Sequence, residues 1–68
     1  MITVTANGRA VELPDDATLT SLLDALGVSP KAVAAMEHNG EPVARSAHAA
    51  RTLSDGDRVE LVRAVAGG

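Results

Sequence analysis

The chain contains no cysteine, phenylalanine, tyrosine or tryptophan among its 68 residues. The lack of cysteine excludes disulfides and thiol nucleophiles, and leaves no indication of a redox compartment. The lack of aromatic rings removes the platforms on which nucleic-acid bases stack, and a net charge of −3 repels phosphates. The longest uninterrupted apolar run, residues 32–36, is far shorter than the roughly 20 residues of a membrane-spanning helix. We therefore expect neither a nucleic acid nor a membrane among the partners.

The small size of the chain limits what its fold can hold. A domain of about 60 residues leaves roughly 40% of its unfolded-state surface exposed, so there is room for one core and little for a buried enzyme pocket. Residues 1–11 contain no basic segment followed by a long apolar one, which is the pattern of a secretory signal. We therefore expect one domain in a cytoplasmic protein.

The first half of the sequence predicts a β-hairpin followed by a helix. Two five-residue runs alternate apolar and polar side chains around Asn7-Gly8, the dipeptide preferred in two-residue type I′ turns. Thr18 is suited to cap a helix, and Gly27 is suited to end it in the left-handed conformation. Between them, the spacing of four leucines predicts one apolar helix face: Leu19, Leu22, Leu23 and Leu26.

The second half predicts another hairpin and a short helical turn. Asn-Gly recurs at residues 39–40, between an apolar segment and a short strand at residues 41–44. Pro42 has no N–H to donate, so this strand should lie at an edge of the sheet. Ser46 is suited to cap one helical turn over residues 47–50.

A tight turn at residues 54–57 leads into the last predicted strand, residues 58–62. The element order is therefore strand, strand, helix, strand, strand, short helical turn, strand. One helix with a leucine face can cover one face of a four- to five-stranded sheet. The core residues predicted beneath the helix are Ile2, Val4, Val11, Leu13, Val33, Leu53, Val59 and Leu61.

Few side chains are suited to catalysis or metal binding. His38 and His48 are the only histidines and make a poor ligand set without cysteine, so we interpret them as turn and surface residues and expect no metal site. Asp15-Asp16 precedes the predicted helix, whose dipole favours negative charge there. The Asp-Gly-Asp turn at residues 55–57 lacks the remaining ligands of a calcium loop. We therefore interpret these histidines and acidic residues as structural.

The end of the sequence predicts a more specific role. If Leu61 faces inward, alternation places Val62 on the exposed face, where it is a candidate anchor for a partner protein. A tail without bulky side chains can thread a narrow channel and bring the Gly68 carboxylate to another protein's active site. There, activation as an acyl-adenylate makes the carboxylate reactive toward sulfur or nitrogen nucleophiles. Val65 and Ala66 lead this tail into the channel, Gly67 gives it slimness and freedom, and Gly68 carries the reacting carboxylate.

Two segments of the chain carry a family resemblance. Residues 37–46, EHNGEPVARS, and residues 53–68, LSDGDRVELVRAVAGG, closely resemble the ThiS family of sulfur carrier proteins. The similarity spans essentially the whole chain, and the strand ending in Val-Ala-Gly-Gly is its most specific element. Members of the family commonly have a bulky aromatic residue about where His48 stands, so this sequence departs from the family pattern there.

The resemblance implies an α+β fold of the ubiquitin-like β-grasp type. In this fold a mixed four- to five-stranded sheet has its first and last strands parallel and central, and one main helix packs on one face. A flexible C-terminal Gly-Gly tail follows the sheet. We therefore expect residues 1–65 to form the domain and residues 66–68 to form the tail.

The resemblance also implies a function for the tail. An E1-like adenylating enzyme of the ThiF type uses Mg-ATP to convert the Gly68 carboxylate into an acyl-adenylate. A sulfurtransferase or another sulfur donor then replaces AMP, which leaves a thiocarboxylate on Gly68. Thiazole synthase of the ThiG type receives this sulfur for the thiazole ring of thiamin. The resemblance thus implies a carrier and co-substrate that binds no cofactor itself, rather than an enzyme.

Four alternatives share parts of this pattern. The small subunit of molybdopterin synthase has the same fold, tail and thiocarboxylate, and a related carrier supplies cysteine or another sulfur metabolite. A ubiquitin-like modifier joins its tail to a lysine of a target protein, and the single lysine here, Lys31, weakens that alternative by limiting self-conjugation. A β-grasp interaction module with an inert tail is the fourth.

Overall fold

The computed structural model describes residues 1–64. The strands are β1 (Ile2–Ala6), β2 (Arg9–Leu13), β3 (Val33–His38), β4 (Glu41–Pro42) and β5 (Arg58–Arg63), and the helix α1 spans Leu19–Leu26. The strands form one sheet in the order β2-β1-β5-β3-β4, with β1 and β5 parallel and the other pairs antiparallel. The predicted order of the strands, the helix and the later helical turn is confirmed, but a 3₁₀ helix at Pro30–Ala32, which was not predicted, precedes β3. The strand β4 lies at an edge as its proline requires, and it ends at Pro42 instead of at residue 44 as predicted. This arrangement is the β-grasp fold.

The two Asn-Gly dipeptides form the hairpin turns that the sequence predicts. Asn7 and Gly8 have φ angles of 50° and 81°, which suits the type I′ turn. The register of this hairpin pairs Ile2 with Leu13, so both face the core. The turn at residues 39–40 has φ angles of 53° and 84° and joins β3 to β4.

Both predicted caps of α1 are present. The Thr18 hydroxyl accepts a hydrogen bond from the Ser21 N–H at 3.3 Å, and the Ser21 hydroxyl accepts one from the Thr18 N–H at 3.0 Å. Gly27 ends the helix with a φ of 70°, in the left-handed region that glycine adopts without strain. Within residues 1–64, no helix has the length and apolar character needed to cross a bilayer.

The core lies between α1 and the inner face of the sheet. Every predicted core residue is buried except Val11, which is half-buried. Leu26, predicted to lie on the buried face of α1, is also half-buried because it ends the helix beside an open groove. The core gains five buried residues that the predicted set omits: Ala6, Ala17, Val28, Met36 and Val43.

The predicted helical turn over residues 47–50, capped by Ser46, is wrong in its boundaries. A 3₁₀ helix occupies Arg45–Ala47, its N-cap residue is Ala44, and no side chain caps it. The Arg45 guanidinium donates a hydrogen bond to the Val33 carbonyl at 2.9 Å. This contact ties the start of the turn to β3, so Ser46 falls inside the turn instead of preceding it.

Candidate functional site: the central strand and its open face

The central strand β5 is held on both sides by the asparagines of the hairpin turns. On the β1 side, Asn7 accepts a hydrogen bond from the Leu61 N–H at 2.8 Å and donates one to the Leu61 carbonyl at 2.9 Å. Because β1 ends at Ala6, this side-chain amide extends the ladder along β5. On the β3 side, the Asn39 side chain accepts from the Arg58 N–H at 2.8 Å. Both asparagines therefore position β5 as well as forming turns.

A polar network surrounds the start of β5. His38 Nε2 lies 2.7 Å from Asp57 Oδ2, and Arg51 Nε donates a hydrogen bond to His38 Nδ1 at 3.0 Å. Arginine can only donate, so Nδ1 accepts and the ring proton sits on Nε2, which donates to Asp57. Arg51 also pairs with Glu41 at 2.6 Å. Both ring nitrogens of His38 are thus engaged and neither is free to bind a metal or move a proton.

The interpretation of His38 as a turn and surface residue is wrong. The residue is 7% exposed and lies within β3. Burial is tolerated because Asp57 and Arg51 satisfy both ring nitrogens. Its role is nevertheless structural, since the contacts tie β3 to the turn that precedes β5.

The carboxylate of Asp57 is the charged centre of this network. Burial by itself raises the pKa of Asp57, because it disfavours the charged form. Hydrogen bonds from the Ser54 N–H at 2.8 Å, from His38 and from the Asn39 amide at 3.1 Å oppose this effect and prevail. The pKa of Asp57 is therefore lowered from its ordinary value of 3.8.

The surface interpretation of His48 is also wrong. The residue is 4% exposed, and neither ring nitrogen has a hydrogen-bond partner among residues 1–64. The 3₁₀ turn folds it against β3, beside a pocket of about 250 Å³ that Met36, Val43 and Arg45 also line. No group of three or more metal-ligating side chains occurs in the described part of the chain. His48 is thus a packing residue with unsatisfied polar atoms.

The face of the sheet opposite α1 is open, and Val62 lies on it as alternation predicts. Val62 is 61% exposed and pairs across the strands with exposed Ala35. In the neighbouring row, Glu37 pairs with Glu60, and neither makes an ion pair within residues 1–64. Two like charges directly opposite each other destabilise a sheet in isolation. We call these four residues, Ala35, Glu37, Glu60 and Val62, the outer patch.

Comparison with known proteins identifies the family of the chain. The model of the ThiS family matches residues 2–68. The chain belongs to the ThiS family. A crystal structure of the thiamine biosynthesis protein ThiS from Geobacter metallireducens is 36% identical, with a TM-score of 0.78 over 98% of this chain and 100% of that chain. An NMR structure of a thiamine biosynthesis protein from the same organism is 36% identical, with a TM-score of 0.77 over 98% and 88% of the two chains. No curated protein sequence gives a significant match.

The outer patch of this ThiS-family chain lies next to the place where β5 leads toward the predicted tail. The N–H of Ala64 donates a hydrogen bond to the Ala32 carbonyl at 2.7 Å, so strand pairing continues one residue past β5. The four residues predicted to enter the partner's channel lie outside the described part of the chain, and their roles stay predictions: Val65, Ala66, Gly67 and Gly68.

Two residues that position β5 were assigned from sequence to turns alone. Asn7 lies 54 residues from Leu61, and Asn39 lies 19 residues from Arg58. The Asn-Gly pattern predicts the turn because that signal is local. Nothing in the sequence indicates the strand that each side-chain amide meets.

Proposed function

We propose that this protein carries sulfur for thiamin biosynthesis as a thiocarboxylate on Gly68. An E1-like adenylating enzyme of the ThiF type binds Mg-ATP and the tail, the Gly68 carboxylate attacks the α-phosphorus, and pyrophosphate leaves. Hydrosulfide then attacks the acyl carbon and AMP leaves, which gives the thiocarboxylate directly. Where the persulfide of a sulfurtransferase attacks instead, an acyl disulfide forms, and a thiol reductant cleaves its S–S bond to give the thiocarboxylate and a disulfide. Thiazole synthase of the ThiG type accepts the sulfur. The protein is the co-substrate in these steps, and its partners supply the catalytic groups.

The observation that carries this proposal is the match to the ThiS family over residues 2–68, which includes the Gly-Gly end. The structure supports it with a physical argument. Strand pairing holds the chain as far as Ala64. The four residues that follow can span at most about 14 Å when extended, at roughly 3.4 Å per residue. That reach brings a terminal carboxylate into a partner's active site only if the partner docks closely against the domain.

We assign that docking to the outer patch. Val62 and Ala35 offer a small apolar surface beside the tail, and an exposed apolar side chain of this kind suits a pocket on a partner. Glu37 and Glu60 repel each other in the free protein, so basic side chains on the partner gain both attraction and relief of that repulsion. The expected partner surface is an apolar pocket with lysine or arginine at its rim.

Intact mass measurement tests the tail chemistry. The protein is incubated with the adenylating enzyme, Mg-ATP and a sulfur source, and its mass is expected to rise by the difference between one sulfur and one oxygen atom. Gly67→Val adds a β-branched side chain to the tail, so we expect sulfur uptake to fall at least about 100-fold while Gly67→Ala falls less. Uptake by Gly67→Val at the parent rate would contradict the threading argument.

The identity of the acceptor is tested with the loaded protein. We expect thiazole synthase to consume the thiocarboxylate and the large subunit of molybdopterin synthase to leave it intact. The reverse result would assign the protein to molybdopterin synthesis. Recovery of the protein joined to lysines of other proteins in a lysate would support the modifier alternative instead.

A further inference from the structure

A second surface feature lies on the helix side of β5, across the strand from the outer patch. It is a groove of about 360 Å³. Its floor is apolar and comes from the end of α1, the segment after it and the inner face of the sheet: Ala6, Leu26, Val28 and Leu61. Its polar residues are Asn7, Arg9 and Arg63. Arg63 is the last residue of β5, so the groove lies at the base of the tail.

Among the described residues, the charged side chains that line this groove are both positive. Arg9 and Arg63 are both exposed and make no ion pair within residues 1–64. Within residues 1–64, no carboxylate lines the groove, although the chain has nine acidic residues and a net charge of −3. The Asn7 side chain is already engaged with the Leu61 backbone. The polar groups left for a ligand are therefore the two guanidinium groups.

One structural role for these arginines needs no ligand. Leu26 ends α1, the last turn of the helix has no basic residue of its own, and positive charge near a helix C-terminus is favourable. Arg9 and Arg63 supply such charge from other elements. This role predicts an effect on stability and none on the recognition of a partner, so the two roles can be separated by experiment.

We propose that the groove receives a segment of the adenylating enzyme that bears an apolar side chain and at least one carboxylate. The inference rests on the proposed function, because an enzyme that takes the tail has to dock over the base of β5. Guanidinium groups bind carboxylates in a bidentate geometry, and the apolar floor of the groove accommodates an anchoring side chain.

The outer patch strengthens this argument because its charge has the opposite sign. Glu37 and Glu60 lie on one side of the sheet, and Arg9 and Arg63 lie on the other. A partner that contacts the end of β5 on both faces of the sheet has to present basic groups to the two glutamates and acidic groups to the two arginines. Docking in the reverse orientation then brings like charges together, which fixes the direction in which the tail enters.

The test is ATP–pyrophosphate exchange by the adenylating enzyme with the full chain as co-substrate. The variants are the Arg9→Glu, Arg63→Glu double variant and the control Ala49→Glu, Ala50→Glu, which adds negative charge at two exposed positions outside both the groove and the outer patch. We expect the KM of the double variant to rise roughly tenfold with kcat unchanged, because the tail is intact. The control is expected to keep the parent KM. Added salt should raise the KM of the parent more steeply than that of the double variant.

An unchanged KM in the double variant would overturn the inference. This holds even if the melting temperature of the variant falls, because a loss of stability alone is what the role at the helix C-terminus predicts. An equal rise in KM for the Ala49→Glu, Ala50→Glu control would overturn it too, since that result reports net charge. If the double variant fails to fold, the Arg9→Gln, Arg63→Gln pair is measured with the same expectation. If the parent supports no exchange at all, the proposed function fails, and this inference fails with it.

Discussion

The two ends of β5 are built in opposite ways. At its start, the His38 and Asp57 side chains are 9% and 13% exposed, and their polar atoms are satisfied by neighbouring groups of the same chain. At its end, Val62 is 61% exposed and Arg63 has no carboxylate partner within residues 1–64. The side chains of His38 and Asp57 are thus satisfied within the fold at one end, and those of Val62 and Arg63 are presented to the solvent at the other.

This difference separates stability from recognition along a single strand. A six-residue strand is about 20 Å long, and effects of substitutions more than about 10 Å apart usually add independently. We therefore expect changes at the start of β5 to lower the free energy of unfolding and leave docking unchanged. Changes at its end should weaken docking and leave the free energy of unfolding nearly unchanged.

The largest expected effect is that of Asp57→Asn. The substitution removes the charge that the Ser54 N–H, His38 and the Asn39 amide stabilise, and hydrogen bonds to charged groups contribute about 2 kcal/mol. We expect the free energy of unfolding at pH 7 to fall by about that amount, measured by urea denaturation. The KM in the adenylation assay should stay at the parent value.

The pH dependence sharpens this prediction. The pKa of Asp57 is lowered in the folded protein, so the unfolded chain binds more protons and stability rises with pH through this range. The contribution of Asp57 is fully present above the ordinary carboxyl value and is lost as the pH falls through the lowered pKa. The stability curves of parent and variant should therefore converge below about pH 4.

The matched control is Asp24→Asn, which removes an exposed carboxylate on α1. We expect its free energy of unfolding to change by less than about 0.5 kcal/mol at any pH. A parent and Asp57→Asn variant that differ equally at pH 3 and pH 7 would show that the charge of Asp57 contributes nothing. A raised KM of the adenylating enzyme for the Asp57→Asn variant would show that the two ends of β5 are coupled.

The sequence predicts those structural features that depend on residues close together along the chain. The hairpin at Asn7-Gly8, the cap at Thr18 and the outward direction of Val62 all follow from residues a few positions apart, and the structure confirms them. The burial of His38 does not follow, because its partners lie 13 and 19 residues away along the chain. The sequence does not indicate the groove either, because three separate parts of the chain form it. These parts are the β1–β2 hairpin, the C-terminal end of α1 with the segment after it, and β5.

A substitution at the other end of β5 should affect docking and leave stability nearly unchanged. Val62→Asp places a charge beside Glu60 in the outer patch and removes its apolar anchor, so we expect the KM of the adenylating enzyme to rise roughly tenfold. The free energy of unfolding should change by less than about 1 kcal/mol, which is the range of strand propensities. Urea denaturation and the exchange assay measure the two quantities on the same protein.

Ala10→Asp is the control for Val62→Asp. It introduces the same charge at an exposed position of β2, two strands away from β5 in the sheet. We expect a similar small change in stability and no change in KM. An equal rise in KM for both variants would assign the effect to net charge and would remove Val62 from the docking surface.

The smallest expected effect is that of His48→Phe, which tests whether satisfied ring nitrogens stabilise the start of β5. His48 is buried like His38, but neither of its ring nitrogens has a partner within residues 1–64, and such groups cost about 1–3 kcal/mol. His48→Phe removes both polar atoms, and the adjacent pocket of about 250 Å³ leaves space for the larger ring. We expect the free energy of unfolding to rise by about 1 kcal/mol. His38→Phe, the matched variant, should lower it, because Asp57 and Arg51 lose their partner. The free energy of unfolding could instead change in the same direction in both variants. Hydrogen bonding of the ring nitrogens would then not distinguish the two histidines, and the start of β5 would owe its stability to other contacts.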